Sequence, residues 1–166
     1  MKHQEKKYQV NSFTEILKLL NEKGAKKEKE IISTHYYGQH RSNDVEKFVE
    51  YSDRFEIHML KETDGRFTMT GHRPIPDKNA GLGWLKNRGF TTVNIVKMAY
   101  AEYTYKNGTV GLYTIDDLLH SVILYYPSDQ HKVMEKEFYL SAAEVIILPY
   151  NKYLAKIGRL RSTDLK

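Results

Sequence analysis

HQEKKYQV, residues 3–10, mixes charged and apolar side chains near the start of the chain. Drawn as a strand, successive side chains point to opposite faces. His3, Glu5 and Lys7 then share one face, and Tyr8 and Val10 the other. A carboxylate and an ammonium two residues apart, aimed the same way, make either a solvated outer surface or the floor of a polar cavity. Two later segments repeat the pattern. RFEIHM (54–59) sets Arg54, Glu56 and His58 against Phe55, Ile57 and Met59, and RFTMTGHR (66–73) sets Arg66, Thr68, Thr70 and His72 against Phe67 and Met69. A sheet with helices on one side and water on the other gives this alternation. So does a barrel with a charged lumen.

Working outward, SFTEILKLLNEKG (12–24) carries Phe13, Ile16, Leu17 and Leu20 at helical spacing, with Ser12 and Glu15 as a capping box and Gly24 as a stop. KEKEIISTHYYG (27–38) and VEKFVEYS (45–52) read as strands around a loop at 40–44. Thr63-Asp64-Gly65 supplies a hairpin turn between 54–59 and 66–73. Two prolines break the sheet at 72–79, AGLGWLKNRGF (80–90) reads as a glycine-weakened helix, and 91–105 as a long strand. Asn107-Gly108 signals a hairpin into 109–115, and 121–126 is a further strand. HKVMEKEFYL (131–140) has mixed propensities and reads as a strand or a helix. A capping box of Ser141 and Glu144 opens a C-terminal helix that Pro149 kinks, and the tail is loose. The tally is eight strands and three helices: α+β, antiparallel, in one domain over 1–160, with a flexible tail at 161–166.

Lys and Arg exceed Asp and Glu by 26 to 21 in the 166 residues, which favours anionic partners. The chain has no cysteine, so disulfides, thiolate metal sites and thiol nucleophiles are excluded. There is no Gly-rich phosphate loop of the GxxxxGK type and no Gly-x-Ser-x-Gly elbow. No apolar run approaches the ~20 residues that span a bilayer. No leader is visible either, so a soluble cytoplasmic protein with no membrane partner is the expectation.

The order of these elements resembles the CYTH domains, the triphosphate tunnel metalloenzymes, over roughly the whole of 1–160. HQEKKYQV is similar to that family's opening Glu-x-Glu-x-Lys strand, with His3 in place of the first Glu. SFTEILKLLNEKGA and THYYG follow in the family's order, although Gly38 stands where an Asp is usual. Glu56 and His58 occupy the places of two arginines, and His72 that of a lysine. NRGFTTVNIVK looks like the second helix-Gly-Phe-strand unit, and KVMEKEF like the late Phe-Val-Glu-x-Glu strand. A second alignment puts YTIDD (113–117) there instead.

The resemblance implies an eight-stranded antiparallel β-barrel with peripheral helices, whose lumen binds a triphosphate or related organic polyphosphate. Glu5, Glu135 and Glu137 would hold Mg²⁺ or Mn²⁺, and Lys7, Arg54, His58, Arg66, His72 and Arg73 would bind the phosphates, with Glu5 and Lys7 the catalytic pair. Mg²⁺ binds through one or two carboxylates plus substrate phosphates, so such a set is chemically adequate. The reaction implied is a metal-dependent triphosphatase or a class IV-type adenylyl cyclase, working by positioning and metal polarisation. The alternative is a binding module without turnover, for another anion or for nucleic acid, where tyrosines could stack bases over a basic groove. Histidines suit a transition metal better than Mg²⁺, which makes His3 and His58 candidates for one.

Overall fold

A computed structural model describes residues 2–165. It contains β1 (His3–Val10), α1 (Thr14–Glu22), β2 (Lys26–Gln39), β3 (Asp44–Tyr51), β4 (Phe55–Thr63), β5 (Arg66–Ile75), α2 (Lys78–Asn87) and β6 (Thr92–Tyr105). Then come β7 (Gly108–Ile115), β8 (Leu119–Pro127), α3 (His131–Glu137), β9 (Glu144–Ile146), α4 (Tyr150–Lys156) and β10 (Arg161–Asp164). The class is α+β as expected, with ten antiparallel strands rather than eight. Their order is β5-β4-β3-β2-β6-β7-β8-β1-β9, with β10 beside β6. Among the described residues no ladder joins β5 to β9, so the strand order stays open.

The chain forms two compact units. One runs up to Ile31 and adds Ala99–Ile147; the other is Ile32–Met98 with the residues from Leu148 on. β2 and β6 contribute residues to both.

In the first unit the alternation of HQEKKYQV is realised as read. Tyr8 is buried with Val110, Leu112, Val122, Leu124 and Tyr126 against Ile16, Leu19 and Leu20 of α1, Met134 of α3 and Phe138 just after it. The opposite face of the same strands carries Glu5 and Lys7. Register confirms this, since Lys7 pairs with Ile123 and Tyr8 with Val122. The capping box at Ser12 is not formed: Phe13 is the N-cap and no side chain caps α1. Helix formation there rests on the buried apolar stripe.

In the second unit α2 packs on β3 and β4 over Tyr36, Phe48, Ile57, Leu85 and Val93. A Cβ on Gly81 would sit 2.4 Å from the Phe48 ring, so only glycine lets the helix approach this closely. Asp77 caps α2 by accepting from the Ala80 amide at 2.8 Å, which starts the helix two residues before the expected 80.

In the C-terminal third one open reading is decided and two expectations are corrected. Residues 131–137 are helical, because His131, Met134 and Phe138 are buried at i, i+3 and i+7 while Val133 is exposed. The Ser141–Glu144 capping box opens no helix; Glu144–Ile146 is a strand on β1, and Pro149 is the N-cap of α4 rather than a kink in it. The expected loose tail is β10, paired to β6 from Arg161↔Ile95 to Asp164↔Thr92.

Candidate functional site

Each unit carries a polar sheet face turned away from its helices. In the first, cross-strand rows run Glu5–Tyr125–Thr109 and Lys7–Ile123–Gly111. Glu5 lines a cavity of about 140 Å³ with Glu102, Tyr100, Thr109, Tyr113 and Tyr125. Lys7 is buried. Tyr100 stacks on Tyr113 at 4.4 Å and donates a hydrogen bond to Glu102, which lies 3.8 Å from the Lys29 ammonium. Burial, then the Glu102 carboxylate, pushes the Tyr100 hydroxyl well above its ordinary range. Burial and the Glu5 charge do the same for Tyr113. Both phenols therefore stay protonated, and the Tyr100 proton is committed to Glu102. Sequence reasoning missed Tyr100, Glu102 and Tyr113. Their signal was the alternation Tyr100, Glu102, Thr104 against Tyr103 and Tyr105, which pack into the core.

The expected ligand set of Glu5 with Glu135 and Glu137 is not brought together on this face. α3 holds the two glutamates on the helix side. Glu135 accepts from Lys6 and Tyr8, whose side chains point away from the Glu5 face. Glu137 accepts from Lys106 and from Tyr105 at 2.9 Å, with Lys23 at 3.7 Å. Hydrogen bonds from Lys6 and Tyr8 outweigh burial and hold Glu135 below the usual carboxylate range; the Lys106 bond leads the same effect at Glu137. A lowered carboxylate adds stability above its unfolded pKa of about 4.3, and that stability is lost as pH falls through the folded value. Glu135→Gln should therefore lower stability by about 1–2 kcal/mol at pH 7, with the difference from wild type shrinking below about pH 4. Urea unfolding at pH 7 and pH 3.5 checks this.

In the second unit a single row crosses four strands: Tyr37 (β2), Lys47 (β3), His58 (β4) and His72 (β5). Lys47 lies over the Tyr37 ring at 5.2 Å, and the His58 and His72 rings are 6.3 Å apart. His35, one strand position away on the same face, stacks on Tyr37 and bonds Ser33 at 2.8 Å. Its Nδ1 is buried with no hydrogen-bond partner among the described residues. Burial lowers the Lys47 ammonium to about 8. Burial, then the Lys47 and His58 charges, holds His35 well below its ordinary value. Burial and the Lys47 charge lower His58 too, although Glu56 accepts from His58 at 2.7 Å. These basic groups mutually oppose one another's charge, the electrostatic condition that an entering anion relieves.

The expected arginines do not join this row. Arg54 is tied to Glu56 at 2.9 Å and Asp53 at 3.0 Å, ahead of β4. Arg66 pairs with Thr63 at the far end of the nine-residue β4, so the two sit at opposite ends of one strand. Arg73 points to the helix side, 4.7 Å over the Trp84 ring. His3 donates to the Asn107 carbonyl at 2.6 Å, and His40 to Glu46 at 2.9 Å. Among the described residues no group of three His, Asp or Glu side chains stands at metal-holding spacing, and no helix is long and apolar enough to cross a membrane.

No family model and no curated protein matches the chain. Solved structures do. Protein PH1012 of Pyrococcus horikoshii superposes with a TM-score of 0.69 at 18% identity, over 86% of this chain and 94% of that one. A Vibrio parahaemolyticus protein proposed to be an adenylate cyclase gives 0.68 at 14% identity, over 93% and 98%. HpAC1 of Hippeastrum, proposed as an adenylyl cyclase and revealed to have a dominant triphosphatase activity, gives 0.60 at 9% identity, over 96% and 97%. Taken with the helix-flanked antiparallel strands and the opening strand that aims Glu5 and Lys7 away from the core, these likenesses show that the chain has the CYTH, or triphosphate tunnel metalloenzyme, fold.

Proposed function

We propose that the chain binds a triphosphate or a related organic polyphosphate, with Lys47, His58 and His72 taking phosphate oxygens. The observation that carries this reading is the Tyr37–Lys47–His58–His72 row, where a buried lysine and two imidazoles share one sheet face and Glu56 is hydrogen-bonded to His58. Such clusters are costly in a free protein and useful when a polyanion arrives. Thermal shift and calorimetry with inorganic tripolyphosphate test the reading: binding in the micromolar range supports it, and no shift at millimolar ligand overturns it.

A divalent ion fits the donor set in the first unit. Glu5 and Glu102 are two carboxylates on one cavity, the number that Mg²⁺ or Mn²⁺ commonly takes alongside phosphates and water. Glu135 and Glu137 do not fit, because α3 holds them on the helix side, away from the face that carries Glu5. A bound ion would supply charge neutralisation at a phosphoryl group, as in a triphosphatase or adenylyl cyclase. In this chain Glu5 and Glu102 would hold it, and Lys29 would limit the charge on Glu102. Glu102→Gln should raise the Mn²⁺ concentration needed for half-saturation of the protein about tenfold or more, measured by calorimetry with Mn²⁺ alone. Binding without turnover is the second reading. It is favoured by Glu56, whose two oxygens accept from Arg54 and His58 and so occupy cations that would otherwise serve the phosphates. Phosphate release or cyclisation assays with Mg²⁺ and Mn²⁺ separate the two.

A further inference from the structure

Between α2 and the strands β6 and β10 the second unit holds a groove of about 580 Å³. It lies on the helix side of the sheet, because Ile95 and Leu165 line it and also pack on the core beneath α2. The phosphate row lies on the opposite face: Tyr36 lines the groove, and its neighbour Tyr37 begins the row. The volume falls among pockets that take a whole small ligand, about 300–1,000 Å³.

Tyr36, Leu82, Ile95 and Leu165 make its walls apolar. Gly83 lies among them, in the interior of α2, where glycine weakens a helix relative to alanine. The fold gives no reason for a glycine there. A Cβ at Gly83 would stand in open space, whereas one at Gly81 would enter the Phe48 ring. The missing side chain keeps the slot open along the helix.

The charges around the slot are mostly positive. Lys86 borders it and makes no ion pair among the described residues. Lys78 stands eight residues earlier, about 12 Å along the helix axis. It lies over the Tyr36 ring at 5.4 Å and is 3.7 Å from Glu50. Arg161, paired with Ile95, shares this face of β10. Asp164 borders the groove too, but alternation along β10 turns its side chain to the opposite face from Thr163, which pairs with the core residue Val93. An apolar slot about 12 Å long with an unpaired ammonium at one end matches a monoanion with an apolar body. A polyphosphate would meet apolar walls along most of its length.

We propose that this groove binds a small amphiphilic carboxylate, its acyl chain lying on Tyr36, Leu82, Ile95 and Leu165 across the bare Gly83 backbone and its carboxylate at the Lys86 ammonium. The site is separate from the phosphate row and does not depend on it.

The test titrates decanoate, and 1-decanol as its uncharged counterpart, into the protein below the concentration at which either self-associates. Emission of Trp84, the single tryptophan and the neighbour of Gly83, reads binding, and scanning calorimetry reads Tm. Decanoate should bind wild type about tenfold or more tightly than decanol, the worth of a charged hydrogen bond. Lys86→Met should remove most of that preference and leave decanol affinity unchanged. Gly83→Leu should weaken both ligands about tenfold or more without lowering Tm, since its side chain enters open space and leucine is a good helix former. Lys47→Met, on the other face, should leave decanoate affinity as it was. No decanoate binding at millimolar ligand overturns the proposal, as does equal affinity for decanoate and decanol. Wild-type affinity in Gly83→Leu overturns it too. A lowered Tm in Gly83→Leu would show that the fold itself requires the glycine, which also overturns it.

Discussion

Lys47→Met should make the protein more stable and a poorer binder at once. In the folded chain burial holds the ammonium at about 8, against about 10.4 for a free lysine. The unfolded chain therefore keeps the proton more readily at every pH between those values, and stability rises as pH climbs through that window. Below it the penalty is fully present. The whole shift corresponds to about 3 kcal/mol. Partial solvent access and the lost contact with the Tyr37 ring reduce the net gain to about 1–2 kcal/mol at pH 7, or roughly 3–6 °C in Tm. The gain should shrink between pH 8 and pH 10.5. Over the same substitution tripolyphosphate affinity should fall about 30-fold or more, the worth of a desolvated charged hydrogen bond. Scanning calorimetry at pH 7 and pH 10, with titration at pH 7, reads both arms. A residue kept only for packing would show a stability loss and no change in affinity.

The second large effect is structural. Phe48 is fully buried, stacks on Tyr36 at 5.2 Å and Phe55 at 6.1 Å, and fills the space that Gly81 leaves open beneath α2. Phe48→Ala should cost about 3–5 kcal/mol, from lost transfer energy and a cavity that α2 cannot collapse into without moving. Gly81→Val should be damaging by the opposite route, because its branched carbon must enter the ring. β3 carries Lys47 on one face and Phe48 on the other, so these changes should weaken ligand binding only through unfolding. Urea midpoints for both variants, with affinity measured well below the midpoint, check the prediction.

The opening strand was legible because its two faces differ sharply in chemistry, and burial follows that difference: Tyr8 goes to the core and Glu5 and Lys7 to the polar face. The stripe of α1 and the Asp64-Gly65 turn, where both residues adopt positive φ, were legible for similarly local reasons. Residues 131–137 were not, because Val133, Glu135 and Glu137 alternate while His131, Met134 and Phe138 keep helical spacing. Burial of the second set against α1 and β8 decides the outcome, and no local property reports it. The acidic set attached to those residues moved with them to the helix side.

Lys47 escaped notice for a related reason. VEKFVEYS is an ordinary short strand, and its lysine matters only because register places it between Tyr37 and His58. Arg54, Arg66 and Arg73 illustrate the converse. Their charge suggested a clamp, but alternation put Arg73 on the helix side and strand length separated the other two.

The most direct measurement is a crystal structure of the chain soaked with tripolyphosphate. The account predicts phosphate oxygens within hydrogen-bonding distance of the Lys47 ammonium and of an imidazole from His58 or His72. Well-ordered tripolyphosphate held elsewhere, with Lys47 still lying over the Tyr37 ring and untouched by it, would contradict the account.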